Sequence, residues 1–383
     1  MQILTDIPNS QARRLELEAR LERLDRPDRV QMLCLALDDP FPIIRHDVAE
    51  ALQRELDDSL ARWLEAIAKG DRPDPALSDA YGVPEDLVPV GSDRARIAAC
   101  VALESSPTPD RTVGVMVDLM SSPNSDLRYH ALIAMHRIGG DSPRLRSVVQ
   151  ETLSEEADPE TVVVASQIVI RYEWAELLPD LLATRRRLRG EDRHQIHFSI
   201  GELIGVTDLT PEAIPDEERS EIVEECIRAL RDERLTAAAA RTLTHLQAQD
   251  AVPYLEKVLN RWFGHPILKV DAAAALLDLG HPSGEHYLMK ALGHRRKDAR
   301  GYALRIVGKR RLQRFLPHLV DVASSGDYHA DTATLALADF GGPDALQALA
   351  RLAETHPDAE IRRLATEGLH PTPDPDSFDA SLS

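Results

Sequence analysis

Nine arginines and lysines fall within residues 294–314, HRRKDARGYALRIVGKRRLQR, and they meet a single acid, Asp298. Cations at that density are chemistry for grasping carboxylates or phosphates. Arg295, Arg296, Lys297, Arg305, Lys309, Arg310, Arg311 and Arg314 are therefore candidate partner-binding residues, for an acidic protein, a phosphorylated ligand or RNA. Arg300 is set apart, because it occupies a position that recurs along the chain. Residues 201–235 have the opposite sign, with eleven acids against four arginines. Glu217, Glu221 and Glu224 follow helical spacing on one face, with Glu225 beside them, and form a second candidate partner-binding surface. Both runs also have a plain reading, as solvated faces or as halves of internal ion pairs. Arg185, Arg186, Arg187 and Arg189 end a helical stretch, where the macrodipole by itself favours cations.

Catalytic constellations are sparse. No phosphate-binding Gly-rich loop, nucleophile elbow or HExxH motif occurs. Glu191 and His194 have the i, i+3 spacing of a carboxylate-bridged metal motif, with His197 close by. Such a site needs a second copy of the motif, and the sequence has none, so neither a metal nor a cofactor is expected. Cys34, Cys100 and Cys226 stand alone in apolar stretches and read as buried thiols in a reducing compartment. Trp63, Trp174 and Trp262 lie beside apolar neighbours and read as core.

The chain has 383 residues and a formal charge of −19, with 43% hydrophobic but only 4% aromatic residues. That charge disfavours duplex DNA and anionic membrane surfaces as partners. The N-terminal stretch is charged and lacks an apolar signal region, and no window is long and apolar enough to span a bilayer. The expected location is the cytoplasm. A core short of aromatics must come from Ala, Leu, Ile and Val, the residues of close helix-on-helix packing.

The elements that position the charged runs repeat. IIRHDVAEAL from Ile43, DLRYHALIAMHRIGG from Asp126, ILKVDAAAALLDLG from Ile267 and EIRRLATEGL from Glu360 share one frame. In each, an apolar residue precedes Arg or Lys, and small residues follow at helical spacing. The anchors are Arg45, Arg128, Lys269 and Arg362, with Arg300 in the same register. Lys269 and Arg300 are 31 residues apart, and Arg362 lies two such units further on. An apolar-Gly pair closes several of these segments, at Gly139, Gly205, Gly280, Gly308 and Gly341, where a helix C-cap is expected. Leu178-Pro179, Val252-Pro253 and Leu316-Pro317 open others, since proline suits a first helical turn.

The pattern closely resembles HEAT repeats, in particular the short bacterial type named after phycobilisome lyases. It is clearest from about 251 to 369 and traceable back to about 28. The resemblance implies an all-α, right-handed α-solenoid of about ten antiparallel helix pairs. The second helices of those pairs begin near Ile43, Arg94, Ser125, Glu160, Asp192, Arg234, Pro266, Lys297, Asp327 and Asp358. One helix pair cannot cover its own apolar face, so neighbours must stack. HEAT-like hydroxylases use His-Glu dipeptides to bind iron, and this chain has none.

Residues 1–27 are expected to form a capping helix, 28–370 the array and 371–383 a flexible acidic tail carrying Phe378 and Leu382. The array is interrupted at 70–92, where four prolines exclude continuous helix. That loop offers Tyr81 and Asp86 as contact residues. The sequence thus points to a non-catalytic scaffold or adaptor that holds another protein. Two alternatives stand beside it. One is a HEAT-like enzyme of the bilin-lyase or DNA-glycosylase kind, which requires a buried acid of perturbed pKa beside an aromatic in a cleft. The other is RNA or phosphate binding at 294–314.

Overall fold

The computed structural model describes residues 7, 9–261, 265–293 and 296–370. Its regular elements are twenty-two α-helices, α1 to α22, joined by short links and 3₁₀ turns, with no strand among the described residues. The chain divides into two compact units, residues 1–196 and 197–383.

The first unit opens with α1 (Ser10–Arg23). Pairs follow: α2 (Arg26–Ala36) with α3 (Pro42–Glu55), then α4 (Asp58–Lys69) with α6 (Asp93–Ala102). Next come α7 (Pro109–Leu119) with α8 (Ser125–Gly139), and α9 (Pro143–Glu155) with α10 (Pro159–Arg171). The 70–92 interruption is folded, with α5 (Pro75–Ala80) and a 3₁₀ turn at Glu85–Leu87. Trp63 is fully buried, and its indole N–H donates to Ser78 Oγ at 3.2 Å, which fastens α5 to α4.

The fifth pair in chain order is α11 (Leu178–Arg187) and α12 (Gly190–Val206), and the division falls inside α12. The second unit continues with α13 (Asp216–Ala229) and α14 (Thr236–His245), then α15 (Val252–Leu259) and α16 (Pro266–Asp278). It ends with α17 (Pro282–Leu292) and α18 (Lys297–Lys309), α19 (Leu316–Ala323) and α20 (Ala330–Phe340), and α21 (Gly342–Thr355) and α22 (Ala359–Leu369). The second helices of the ten pairs start within three residues of the positions read from the repeat. Successive second helices pack on one another: α14 on α16, α16 on α18, α18 on α20, α20 on α22. Their interfaces bury Ala273, Ala303, Ala333, Ala336 and Leu337 completely.

The repeating cation has a definite mechanical job. It donates to a carbonyl at the C-terminal end of the first helix of its pair or up to three residues past it, where intrahelical donors have run out. Arg128 Nη1 bonds Ser122 O at 2.7 Å, Arg300 Nε bonds Leu292 O at 2.8 Å, and Arg362 Nη1 bonds His356 O at 2.6 Å. Arg45 reaches Asp39 O at 2.8 Å, and Lys269 reaches Arg261 O. Two of these anchors also hold a carboxylate. Arg128 grips Glu156 with two bonds of 2.6 and 2.7 Å, and Arg300 holds Asp327 at 2.9 Å. The guanidinium of Arg128 keeps the Glu156 carboxyl below the usual range against the opposing effect of burial.

Three proline landmarks sit in first turns as expected, in α11, α15 and α19. Two of the glycine landmarks do something else. Gly280 and Gly341 take positive φ at or just past helix ends, but Gly205 and Gly308 lie inside α12 and α18. There they let helices meet: a Cβ on Gly308 would lie 2.8 Å from Ala336 Cα, and one on Gly205 would strike the His245 ring. The left-handed position after α18 is filled by Arg311, with φ 48°.

Candidate partner-binding face

The 294–314 run splits once its side chains are placed. Arg295 lies outside the described residues. Arg310, with only 14% of its side chain exposed, pairs with Asp278 of α16, and Arg314 pairs with Glu285 of α17. Arg296 meets Asp298 at 3.2 Å, and Arg300 is the anchor already described. Lys297 sits 3.4 Å from the centroid of the Tyr328 ring, a cation–π contact. Arg305, Lys309 and Arg311 are exposed and form no ion pair among the described residues. Arg305 and Lys309 are one turn apart on α18 and share a face, and Arg311 follows just beyond the helix end.

Beside them runs a groove of about 530 Å³ between α18 and α20, lined by Ile267, Lys297, Tyr302, Arg305, Tyr328 and Asp331 among others. Gly301 also lines it, and its missing side chain leaves room for the His329 ring, which a Cβ there would approach to 3.1 Å. Tyr328 is 69% exposed, the highest value among the described large apolar or aromatic side chains, and Leu335 on α20 is 49% exposed.

A polar cluster lies alongside on α12, α14, α16 and α18. Arg241 donates to Glu202 at 2.7 Å, and His245 lies 3.9 Å from the same carboxylate. Burial chiefly lowers the His245 pKa, with Arg310 and Arg241 acting in the same direction. Asp271 is 1% exposed, and its Oδ1 accepts the Tyr302 hydroxyl at 2.8 Å while its Oδ2 lacks a hydrogen-bond partner. Burial raises its pKa, against the bond from Tyr302 and the charges of Arg310 and Arg241. Asp278 is raised by burial too, with Arg310 opposing. A buried acid of raised pKa beside an aromatic is the arrangement the enzyme reading required. Asp271 does not, however, line the groove that Tyr302 lines. These residues escaped the sequence reading although a signal was there: Asp271 and Tyr302 are one repeat of 31 apart.

The other candidates are dispersed. Glu217, Glu221 and Glu224 are exposed on α13, whereas Glu225 is half-buried and lies 3.4 Å from the fully buried His197. Asp86 is exposed, but Tyr81 is only 7% exposed and donates to Asp57 Oδ1 at 2.8 Å. Asp57 in turn caps α4 and pairs with Arg26, so Tyr81 belongs to the fabric of the first unit. Among the described residues no group of three or more His, Cys, Asp or Glu side chains is placed to hold a metal ion. No helix among them is long and apolar enough to cross a membrane. Cys34, Cys100 and Cys226 are buried, and burial pushes the Cys100 thiol up to about 12. Trp174 is buried and bonds Asp141, while Trp262 and the tail with Phe378 and Leu382 lie outside the described residues.

Within each unit, helix pairs stack in the manner of an α-solenoid, and a cation anchors five of the pairs. The family model for HEAT repeats matches residues 286–370, the C-terminal helix pairs of the second unit. Among solved structures it is similar to the complex of CpcE and CpcF of phycocyanin lyase from Nostoc sp. PCC7120. Identity there is 16%, over 68% of this chain and 94% of that one, with a TM-score of 0.46. Similarity to Kap121p is 12% identity over 96% of this chain and 48% of that one, at 0.44. Human deoxyhypusine hydroxylase in complex with glycerol gives 16% identity, 79% and 91% coverage, and 0.26. At these scores none of the three bears on what this chain does. No curated protein matches the sequence.

Proposed function

We propose that this chain is a non-catalytic scaffold that holds a protein partner on the surface of its helix stack, with α18 at the contact. The observation that carries this reading is the state of Arg305, Lys309 and Arg311. They are exposed cations outside any described internal ion pair, in a chain whose formal charge is −19. Neighbouring cations of the same run hold Asp278, Glu285 and Asp327, so the run is divided between structure and surface. Cys34 and Cys100 are buried thiols, which fits a reducing compartment, and we place the protein in the cytoplasm. Affinity capture from the native source tests the reading. The wild-type chain should retain a protein partner that Arg305→Glu/Lys309→Glu/Arg311→Glu loses. Retention by both overturns the assignment to α18.

A second reading, catalysis, draws on Asp271 and Tyr302 alone. Should the protein turn over a substrate through them, Asp271→Asn abolishes that turnover while leaving partner capture intact. A scaffold shows no turnover to lose.

A further inference from the structure

The partner segment has a chemistry of its own. Resting on the scaffold reading, we infer that α18 and its groove receive an acidic peptide carrying one aromatic or large apolar side chain. The carboxylates meet Arg305, Lys309 and Arg311, and the apolar side chain enters the groove between Tyr302 and Tyr328.

Three features lead there. Arg305 and Lys309 are separated by one helical turn, about 6 Å along the axis, and Arg311 extends the row past the helix end. A row of discrete cations at that interval matches side-chain carboxylates along a peptide. Second, the groove is amphipathic. Its walls include Ile267 and the rings of Tyr302 and Tyr328, and Tyr328 is 69% exposed with Lys297 on its face. An aromatic side chain has a ring and a cation to lie against. Third, Asp298 and Asp331 also line this groove, and Asp278 lies one helix away. A nucleic-acid backbone, with a phosphate on every residue, meets those acids, whereas a peptide can place its neutral side chain among them.

Arg311 adds an observation that makes the inference testable. After α16 the left-handed position is Gly280; one repeat later, after α18, it is Arg311 with φ 48°. A side chain there is strained relative to glycine. Glu173 and Gln247 also take positive φ, so the strain is tolerated elsewhere and is not itself the signal. It does mean that Arg311→Gly should raise the melting temperature while weakening the peptide, which a purely structural arginine would not do.

The experiment is fluorescence anisotropy on the full chain with four labelled probes. They are a Glu-rich peptide with one central Phe, the same peptide with Ala in place of Phe, its Lys-rich counterpart, and a single-stranded oligoribonucleotide. The acidic Phe peptide should bind best, in a salt-sensitive manner. Arg305→Glu/Lys309→Glu should weaken it by roughly tenfold, the scale of reversing two exposed charges against an acidic ligand. Tyr328→Ala should weaken the Phe peptide and leave the Ala peptide unchanged. Tighter binding of the oligoribonucleotide, equal binding of the Phe and Ala peptides, or indifference to the Arg305 and Lys309 reversals overturns the inference. If none of the acidic probes binds while partner capture still depends on these three residues, the peptide chemistry falls and the scaffold reading stands. If capture itself is indifferent to them, the scaffold reading of α18 falls with it.

Discussion

Two arginine-rich segments of this chain look alike on paper and are used differently. At 185–189, Arg185 is 1% exposed, Arg187 donates to Leu153 O at 2.7 Å and to Glu156 O, and Arg189 donates to Arg186 O at 2.9 Å. That block closes helix ends in the first unit. At 296–314 only Arg300 closes a helix end in that way, Arg310 and Arg314 hold carboxylates, and three further cations remain on the surface. The lesson concerns position. A cation next to an exhausted helix terminus or a facing carboxylate, as Arg241 is to Glu202, is structural, whereas Arg305 and Lys309 on the outward face of α18 meet no carboxylate among the described residues.

Perturbing each class should separate them. The largest effect should come from the packing that seats α18. Gly308→Ala sets a methyl against the Ala336 backbone and is expected to destabilise by about 3 kcal/mol in chemical denaturation. The anchor comes next: Arg300→Met removes bonds to Leu292 O and Asp327 and should lower stability by about 2 kcal/mol. Arg187→Ala, in the other segment, should reduce stability by about 1 kcal/mol and leave partner capture untouched. Arg305→Ala and Lys309→Ala complete the order. Each should change stability by less than about 0.5 kcal/mol and be felt in binding alone. If Arg187→Ala impaired capture as much as Arg305→Ala does, the division between the two segments would be wrong.

pH offers a further contrast between the two units. Glu156 has a depressed pKa in the folded chain, so the stability it contributes is present above the ordinary carboxylate range and fades as pH falls through its folded value. Asp271 has a raised pKa, so its contribution has the opposite sense: full at low pH and lost as pH climbs from the ordinary value through the raised one. Thermal melts against pH should show Arg128→Met flattening the acid limb. Asp271→Asn, which keeps an acceptor for Tyr302, should stabilise the protein at neutral pH. A loss of neutral-pH stability in Asp271→Asn would mean that the carboxylate is ionised and usefully paired.

Much of the fold was legible because it is periodic. The anchors at Arg128, Lys269, Arg300 and Arg362, and the prolines at 179, 253 and 317, mark helix ends by local chemistry that tertiary packing leaves intact. Glycine was ambiguous, since one residue type serves both a left-handed turn, as at Gly280, and a close helix crossing, as at Gly308. The candidate face was legible only as composition. Which cations stay unengaged depends on side chains a whole repeat away, as Asp278 for Arg310 and Glu285 for Arg314 show. Tyr81 illustrates the same limit, because its partner Asp57 belongs to the cap of a different helix.

The central claim is that the outward cations of α18 are where a partner rests. Amide hydrogen exchange on the full chain, with and without the captured partner, tests it most directly. Slowed exchange concentrated in residues 297–311 and at the adjoining end of α20 is the predicted result. Protection confined to other helices, with 297–311 exchanging as in the isolated chain, would contradict it.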